Sequence, residues 1–227
     1  MIYILKYGSS VLKDQNAFEK ISDLILQHPK DKYIIVNSAF PSKTDAYAKL
    51  IEHPELKDAL LVLGELESGV LLTNYLISHE IKAQFLNAYQ IPIITTNEYG
   101  NADIVYLGID KITNALKNSD VLVIPGFQGI DKEFKWTTLG RGGSDYTALY
   151  LAAAFVKKGY KVKCHLFKDK EYIYDALKKP LKKVTYSALE TLIKDNAPIA
   201  KKALIYAKQN KIPFSIGVSL TRNTKVS

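Results

Sequence analysis

Three short loops in this 227-residue chain carry residue types, at close spacing, that could grip an anionic substrate. The first is Lys6-Tyr7-Gly8-Ser9-Ser10. Glycine lets backbone amides approach an anion, the serines add hydroxyl donors, and Lys6 brings a full positive charge. The second is Thr137-Thr138-Leu139-Gly140-Arg141-Gly142-Gly143-Ser144-Asp145. Glycines on both sides of Arg141 let the chain fold tightly around a ligand, and the guanidinium can clamp a carboxylate or phosphate with two parallel hydrogen bonds. Only Arg141 and Arg222 among the 31 basic residues are arginines, so placing one in the densest glycine loop is a specific choice. Ser144 or Asp145 is expected to cap the following helix, whose N-terminus favours negative charge. The third is Gly64-Glu65-Leu66-Glu67-Ser68 inside a long apolar stretch, where a buried Glu65 would need a partner such as an ammonium group.

Other chemistries lack their residues. His28, His53, His79 and His165 are isolated, and Cys164 is the single cysteine, so no zinc-type spacing and no disulfide framework exist. Neither a P-loop nor a Gly-x-Ser-x-Gly elbow is present. The net charge of +8 comes from lysines scattered in pairs along helical and strand patterns. They read as solvated faces, because nucleic-acid readers lean on the arginine fork. No apolar run approaches the roughly 20 residues of a membrane span. The N-terminus turns polar at once, unlike a signal peptide. The expectation is a cytoplasmic protein in a reducing compartment, with partners that are neither nucleic acid nor membrane.

These loops must be held by regular elements. Apolar runs at residues 2–7, 33–36 and 121–124 read as buried strands, and 92–95, 104–107, 161–167 and 212–218 as further strands. Helical spacing follows Asp14 and recurs at 45–51, 55–78, 112–116, 144–156, 187–194 and 199–209. Residues 126–143, with five of the twelve glycines, read as one long loop, and the polar tail 219–227 is expected to fray. Alternating strands and helices predict an α/β domain with a mainly parallel sheet sandwiched by helices. Ligands in such sheets bind at the carboxyl ends of the strands. The chain reads as one domain over 1–227, with a soft division into lobes at 1–160 and 161–227.

Taken together, the loops resemble the catalytic domain of aspartokinase, within the amino-acid kinase superfamily. Residues 138–145, Thr-Leu-Gly-Arg-Gly-Gly-Ser-Asp, match that family's most specific signature. Lys6 to Val11, Val36-Asn37-Ser38-Ala39 through Thr44-Asp45, Gly64-Glu65 with Ser68, Tyr99-Gly100-Asn101-Ala102 and Pro125-Gly126-Phe127-Gln128-Gly129 follow in the family's order. The resemblance implies a three-layer α/β/α sandwich. It implies ATP-dependent phosphorylation of the side-chain carboxylate of L-aspartate, with Mg2+ bound mainly through the phosphates. Lys6 and Asp145 would act in catalysis, and Ser10, Thr44, Glu65, Arg141 and Ser144 would bind the amino acid. Lys6, Gly8, Ser9, Asp169, Tyr174 and Lys201 would bind the nucleotide. A homo-oligomer is compatible with this reading.

The departures lie mostly in the nucleotide half. Where the family carries Thr-Asp-Val-Asp-Gly-Val-Tyr-Thr-Ala-Asp-Pro-Arg, this chain has Lys168-Asp169-Lys170-Glu171-Tyr172-Ile173-Tyr174-Asp175-Ala176. The later Gly-Ala-Lys reads Asn196-Ala197-Pro198, with Lys201 and Lys202 nearby. The ACT regulatory domains usual in the family are expected to be absent. Two alternatives stay open: an aspartokinase-like ligand-binding or partner subunit without catalysis, and a kinase of the same fold for another small acid.

Overall fold

The computed structural model describes residues 1–192 and 198–227. In chain order the first half runs β1 (Ile2–Tyr7), α1 (Gln15–Gln27), β2 (Lys32–Asn37), α2 (Lys43–Ala48), α3 (Pro54–Ser78), β3 (Ala83–Phe85), β4 (Ile93–Thr95), β5 (Ile104–Leu107) and α4 (Ile109–Asn118). It continues β6 (Val121–Pro125), β7 (Gln128–Ile130), β8 (Trp136–Thr138), α5 (Gly143–Lys157), β9 (Val162–Phe167), β10 (Ile173–Tyr174) and β11 (Pro180–Leu181). The last elements are β12 (Lys183–Val184), α6 (Tyr186–Leu192), α7 (Lys201–Gln209), β13 (Phe214–Gly217) and β14 (Asn223–Val226).

Eight strands form the main sheet in the order β12-β14-β13-β9-β1-β2-β6-β3. All neighbours are parallel except β13 and β14. Because side chains alternate along a strand, β1 feeds both faces. Ile2 and Ile4 join the core that includes α5 and α7 residues, while Tyr3, Leu5 and Tyr7 join the core with α1 and α3. The result is a mainly parallel sheet between two helical layers, as the alternation predicts. Chain order reverses at β1, with β2 on one side and β9 on the other, which opens a crevice at their carboxyl ends.

Several local expectations need correction. The glycine-rich stretch 126–143 is not one loop: β7 and β8 pair antiparallel within it and join β4 and β5 in a separate four-stranded sheet. Three-residue strands are too short to show a period. The tail does not fray: β14 pairs with β13, and Asn223, Thr224 and Val226 are buried. Two buried polar residues gave the segment its surface-like look. The helix expected over 187–194 is described to Leu192, and its last two residues lie outside the described residues, as do Asn196 and Ala197. Helix α3 is long and apolar enough to cross a membrane by length and composition, contrary to the sequence expectation. It instead packs on β2, β3 and β6, with Asp58 and Glu65 on its buried face.

His165 stitches β9 to β13 at 1% exposure. Its Nε2 lies 3.2 Å from the Gly217 carbonyl and its Nδ1 2.7 Å from Ser215 Oγ. The carbonyl can only accept, so Nε2 carries the proton and Nδ1 accepts from Ser215. Burial holds the imidazole down to about 4, against the pull of the Gly217 carbonyl. The unfolded chain would titrate near 6.5, so this contribution is whole above that pH and is lost as pH falls through 4. It amounts to about 3 kcal/mol at most. Urea titrations from pH 7 to pH 4 should therefore show falling stability, with a flatter profile for His165→Gln. Equal slopes for both proteins would refute this.

Candidate active site

Lys6 lies on the same face of β1 as Ile2 and Ile4, the face that α5 covers. Its Nζ sits 2.8 Å from Oδ1 of Asp145 in the first turn of α5. Lys168, one residue past β9, places its Nζ 2.9 Å from Oδ2 of the same carboxylate. Burial alone would raise Asp145, but the two ammonium groups outweigh it and hold the carboxyl below the ordinary range. Burial, with the charge of Lys168, pulls the Lys6 ammonium down against the pull of Asp145. Gly8 has a packing reason: a Cβ there would stand 2.8 Å from Lys6 Nζ.

The start of α5 corrects the capping expectation. The N-cap is Gly142 in a left-handed conformation, without a side-chain cap. Ser144 instead meets Ser38 Oγ at 3.0 Å, and Asp145 is spent on the lysines. Arg141 stands between Gly140 at φ +78° and Gly142 at φ +73°, a region L side chains rarely adopt. A Cβ on Gly142 would also lie 2.3 Å from Ala200 Cβ. The loop thus sets the backbone on both sides of Arg141, whose side chain is exposed and without an ion-pair partner among the described residues.

Glu65 is 4% exposed, and its Oε2 has no hydrogen-bond partner among the described residues. Burial pushes its carboxyl up to about 7, against the Ala39 amide and the charge of Lys6. Gly64 lets α3 lean on the loop after β2, where a Cβ would come within 2.9 Å of Ala39 Cβ. Ser68 fastens the same junction by donating to the Ser38 carbonyl at 2.8 Å and accepting from Asn37 Nδ2 at 2.8 Å.

Sequence reasoning missed Asp58. Its carboxylate accepts from the Gly100 amide at 2.8 Å, the Thr138 amide at 2.7 Å and Thr138 Oγ1 at 2.8 Å. It ties α3 to the strand that leads into the arginine loop. A signal existed: Asp58 lies seven residues before Glu65, two helical turns along the same face.

A cleft of about 570 Å³ gathers Lys6, Gly8, Ser9, Ser10, Thr44, Glu65, Arg141 and Ser144, with Asp145 directly behind Lys6. An adjoining cavity of about 550 Å³ is lined by Asp169 and Tyr174. Lys201 is not brought to either one. It lines a separate groove with Asp103 and Tyr146, and Lys202 is tied to Asp103. Among the described residues, no three His, Cys, Asp or Glu side chains converge to hold a metal ion.

Residues 1–217 match the model of the amino acid kinase family. The chain belongs to the amino acid kinase family. Aspartokinase 1 of Bacillus subtilis is 31% identical over 237 residues, covering 95% of this chain and 57% of that protein. The aspartokinase of Corynebacterium glutamicum is 32% identical over 184 residues, covering 77% and 43%. The chain thus spans about half the length of the curated relatives it matches. In fold it is similar over its whole length to E. coli aspartokinase III in complex with aspartate and ADP, with TM-score 0.83, 21% identity and 64% of that chain covered. UMP kinase from Ureaplasma parvum gives TM-score 0.70 at 16% identity, covering 100% of this chain and 96% of that one. The family's fold is the α/β sandwich described above.

Proposed function

We propose that this chain transfers the γ-phosphoryl group of ATP to the side-chain carboxylate of L-aspartate, giving 4-phospho-L-aspartate and ADP. The observation that carries this is one cleft lined by a buried glutamate with one unpartnered carboxylate oxygen, an exposed arginine and two lysines that share the carboxylate of Asp145 behind them. Glu65 suits the ammonium of an amino acid and Arg141 its α-carboxylate. The E. coli relative's complex with aspartate and ADP supports the same pairing of ligands.

An acceptor carboxylate is already ionised at neutral pH, so the step needs no general base. The carboxylate oxygen forms the new O–P bond while the bond from the γ-phosphorus to the bridging oxygen breaks. The electron pair leaves on ADP. What the protein supplies is position and positive charge around the transferring group. Lys6 and the Gly8–Ser10 loop provide it on one side and the start of α5 on the other. Magnesium would arrive on the phosphates, where it would offset their charge.

A hydroxylamine trap with ATP and a panel of amino acids tests this, since an acyl phosphate yields a hydroxamate. Aspartate should give the strongest signal. A signal from another small acid alone would move the substrate, and none from any acid would remove the catalytic reading.

The pH dependence follows from Glu65. Its carboxyl is protonated below about 7 and must ionise to hold an ammonium group. Apparent affinity for the amino acid should therefore rise about tenfold from pH 6 to pH 8. Glu65→Gln should bind weakly and lose that slope. A parent profile that is flat over this window would contradict the role given to Glu65.

A further inference from the structure

We propose that Lys168 is a second phosphate-binding cation, poised to move from Asp145 to the phosphoryl group in transit; this rests on the kinase reading above. Lys168 lines both the cleft that holds Glu65 and Arg141 and the cavity that holds Asp169 and Tyr174. Among the described residues only Ser10 shares that position. A group passing from a nucleotide in one space to a carboxylate in the other must cross this wall.

The charges fit an incoming anion. Asp145 accepts from Lys6 on Oδ1 at 2.8 Å and from Lys168 on Oδ2 at 2.9 Å and on Oδ1 at 3.3 Å, and the side chains of Lys6, Asp145 and Lys168 are 7%, 3% and 18% exposed. Asp145 offers a single negative charge to two lysines, so it does not fully compensate both ammonium groups in a nearly dry place, and an uncompensated buried charge is costly. A phosphate oxygen would balance it. The backbone sets the geometry: β1 and β9 run parallel with Tyr7 opposite Phe167, so Lys168 emerges beside Gly8.

The resemblance does not supply this residue, because the aligned stretch begins with threonine where this chain has Lys168. The lysine that sequence reasoning chose for the task, Lys201, faces a different groove. Lys202 is occupied by Asp103 and the carbonyls of Asn101 and Ala102.

Calorimetry of the parent protein, Lys168→Met and Lys168→Gln with ATP·Mg and with AMP tests the proposal, together with hydroxamate rates. Both variants should bind ATP at least tenfold more weakly, bind AMP as the parent does, and transfer phosphoryl about a hundredfold more slowly. Lys117→Met, which removes the same charge from the exposed end of α4, should change neither binding nor rate. ATP affinity and rate within twofold of the parent would overturn the proposal. So would equal losses for ATP and AMP, which mark a merely structural role. A parent that binds ATP but forms no hydroxamate would remove the kinase reading, and the split between ATP and AMP would still decide Lys168. A parent that binds neither nucleotide would overturn both.

Discussion

Lys6→Ala is expected to slow phosphoryl transfer by about a thousandfold while the protein stays folded. Lys6 is the charge that β1 itself delivers to the mouth of the crevice, at the point where the strand order reverses. Phosphoryl transfer depends on positive groups fixed where negative charge gathers, and removing one such donor typically costs two to three orders of magnitude. Folding should survive because Asp145 keeps its contact with Lys168 and is not left as a lone buried charge. Asp145→Ala is the contrasting case, since it strands two buried ammonium groups together. Hydroxamate rates at saturating ATP, read beside thermal melts, make the comparison. A Lys6→Ala protein within tenfold of the parent rate would remove Lys6 from the chemistry.

Arg141→Lys should lower kcat/KM for aspartate by about a hundredfold, most of it in KM, with no change in thermal stability. The side chain is exposed, so the substitution opens no cavity. The flanking glycines hold positive φ whatever residue stands between them. Charge is retained and only the planar fork is lost, so the experiment isolates bidentate geometry from electrostatic attraction. An unchanged KM for aspartate would mean that Arg141 does not hold the substrate's carboxylate.

The parts of the fold legible in the sequence were those with long periods or dense glycine. β1, β2 and β6 are apolar runs flanked by turn residues, β9 alternates apolar and polar residues, and α3 and α5 sustain a helical pattern over many turns. β3, β7 and β8 were not legible, because three residues carry no period. β14 was hidden for a different reason: its buried members include Asn223 and Thr224, whose burial is met by tertiary hydrogen bonds. Within the site, Lys6, Glu65 and Arg141 announced themselves by glycine neighbours or rarity. Asp58 did not, since its three hydrogen-bond donors come from a turn and a strand about 40 and 80 residues away. Lys168 sits in an ordinary lysine-rich stretch, and only the pairing of β9 with β1 places it beside Asp145.

That pairing bears on how the protein is made. β1 is made well before one of its two partners, β9, which comes 160 positions later. Pairing so distant in sequence is slow to form and comes late. Until β9 is made, β1 therefore has one open edge of unpaired amides and carbonyls, the kind of surface on which chains associate wrongly. The lysine–aspartate–lysine cluster cannot assemble until that edge is closed. A nascent chain is thus without an assembled site until residue 168 has left the ribosome, and slowing the ribosome before that point lengthens the exposure of a strand that is buried in the finished fold.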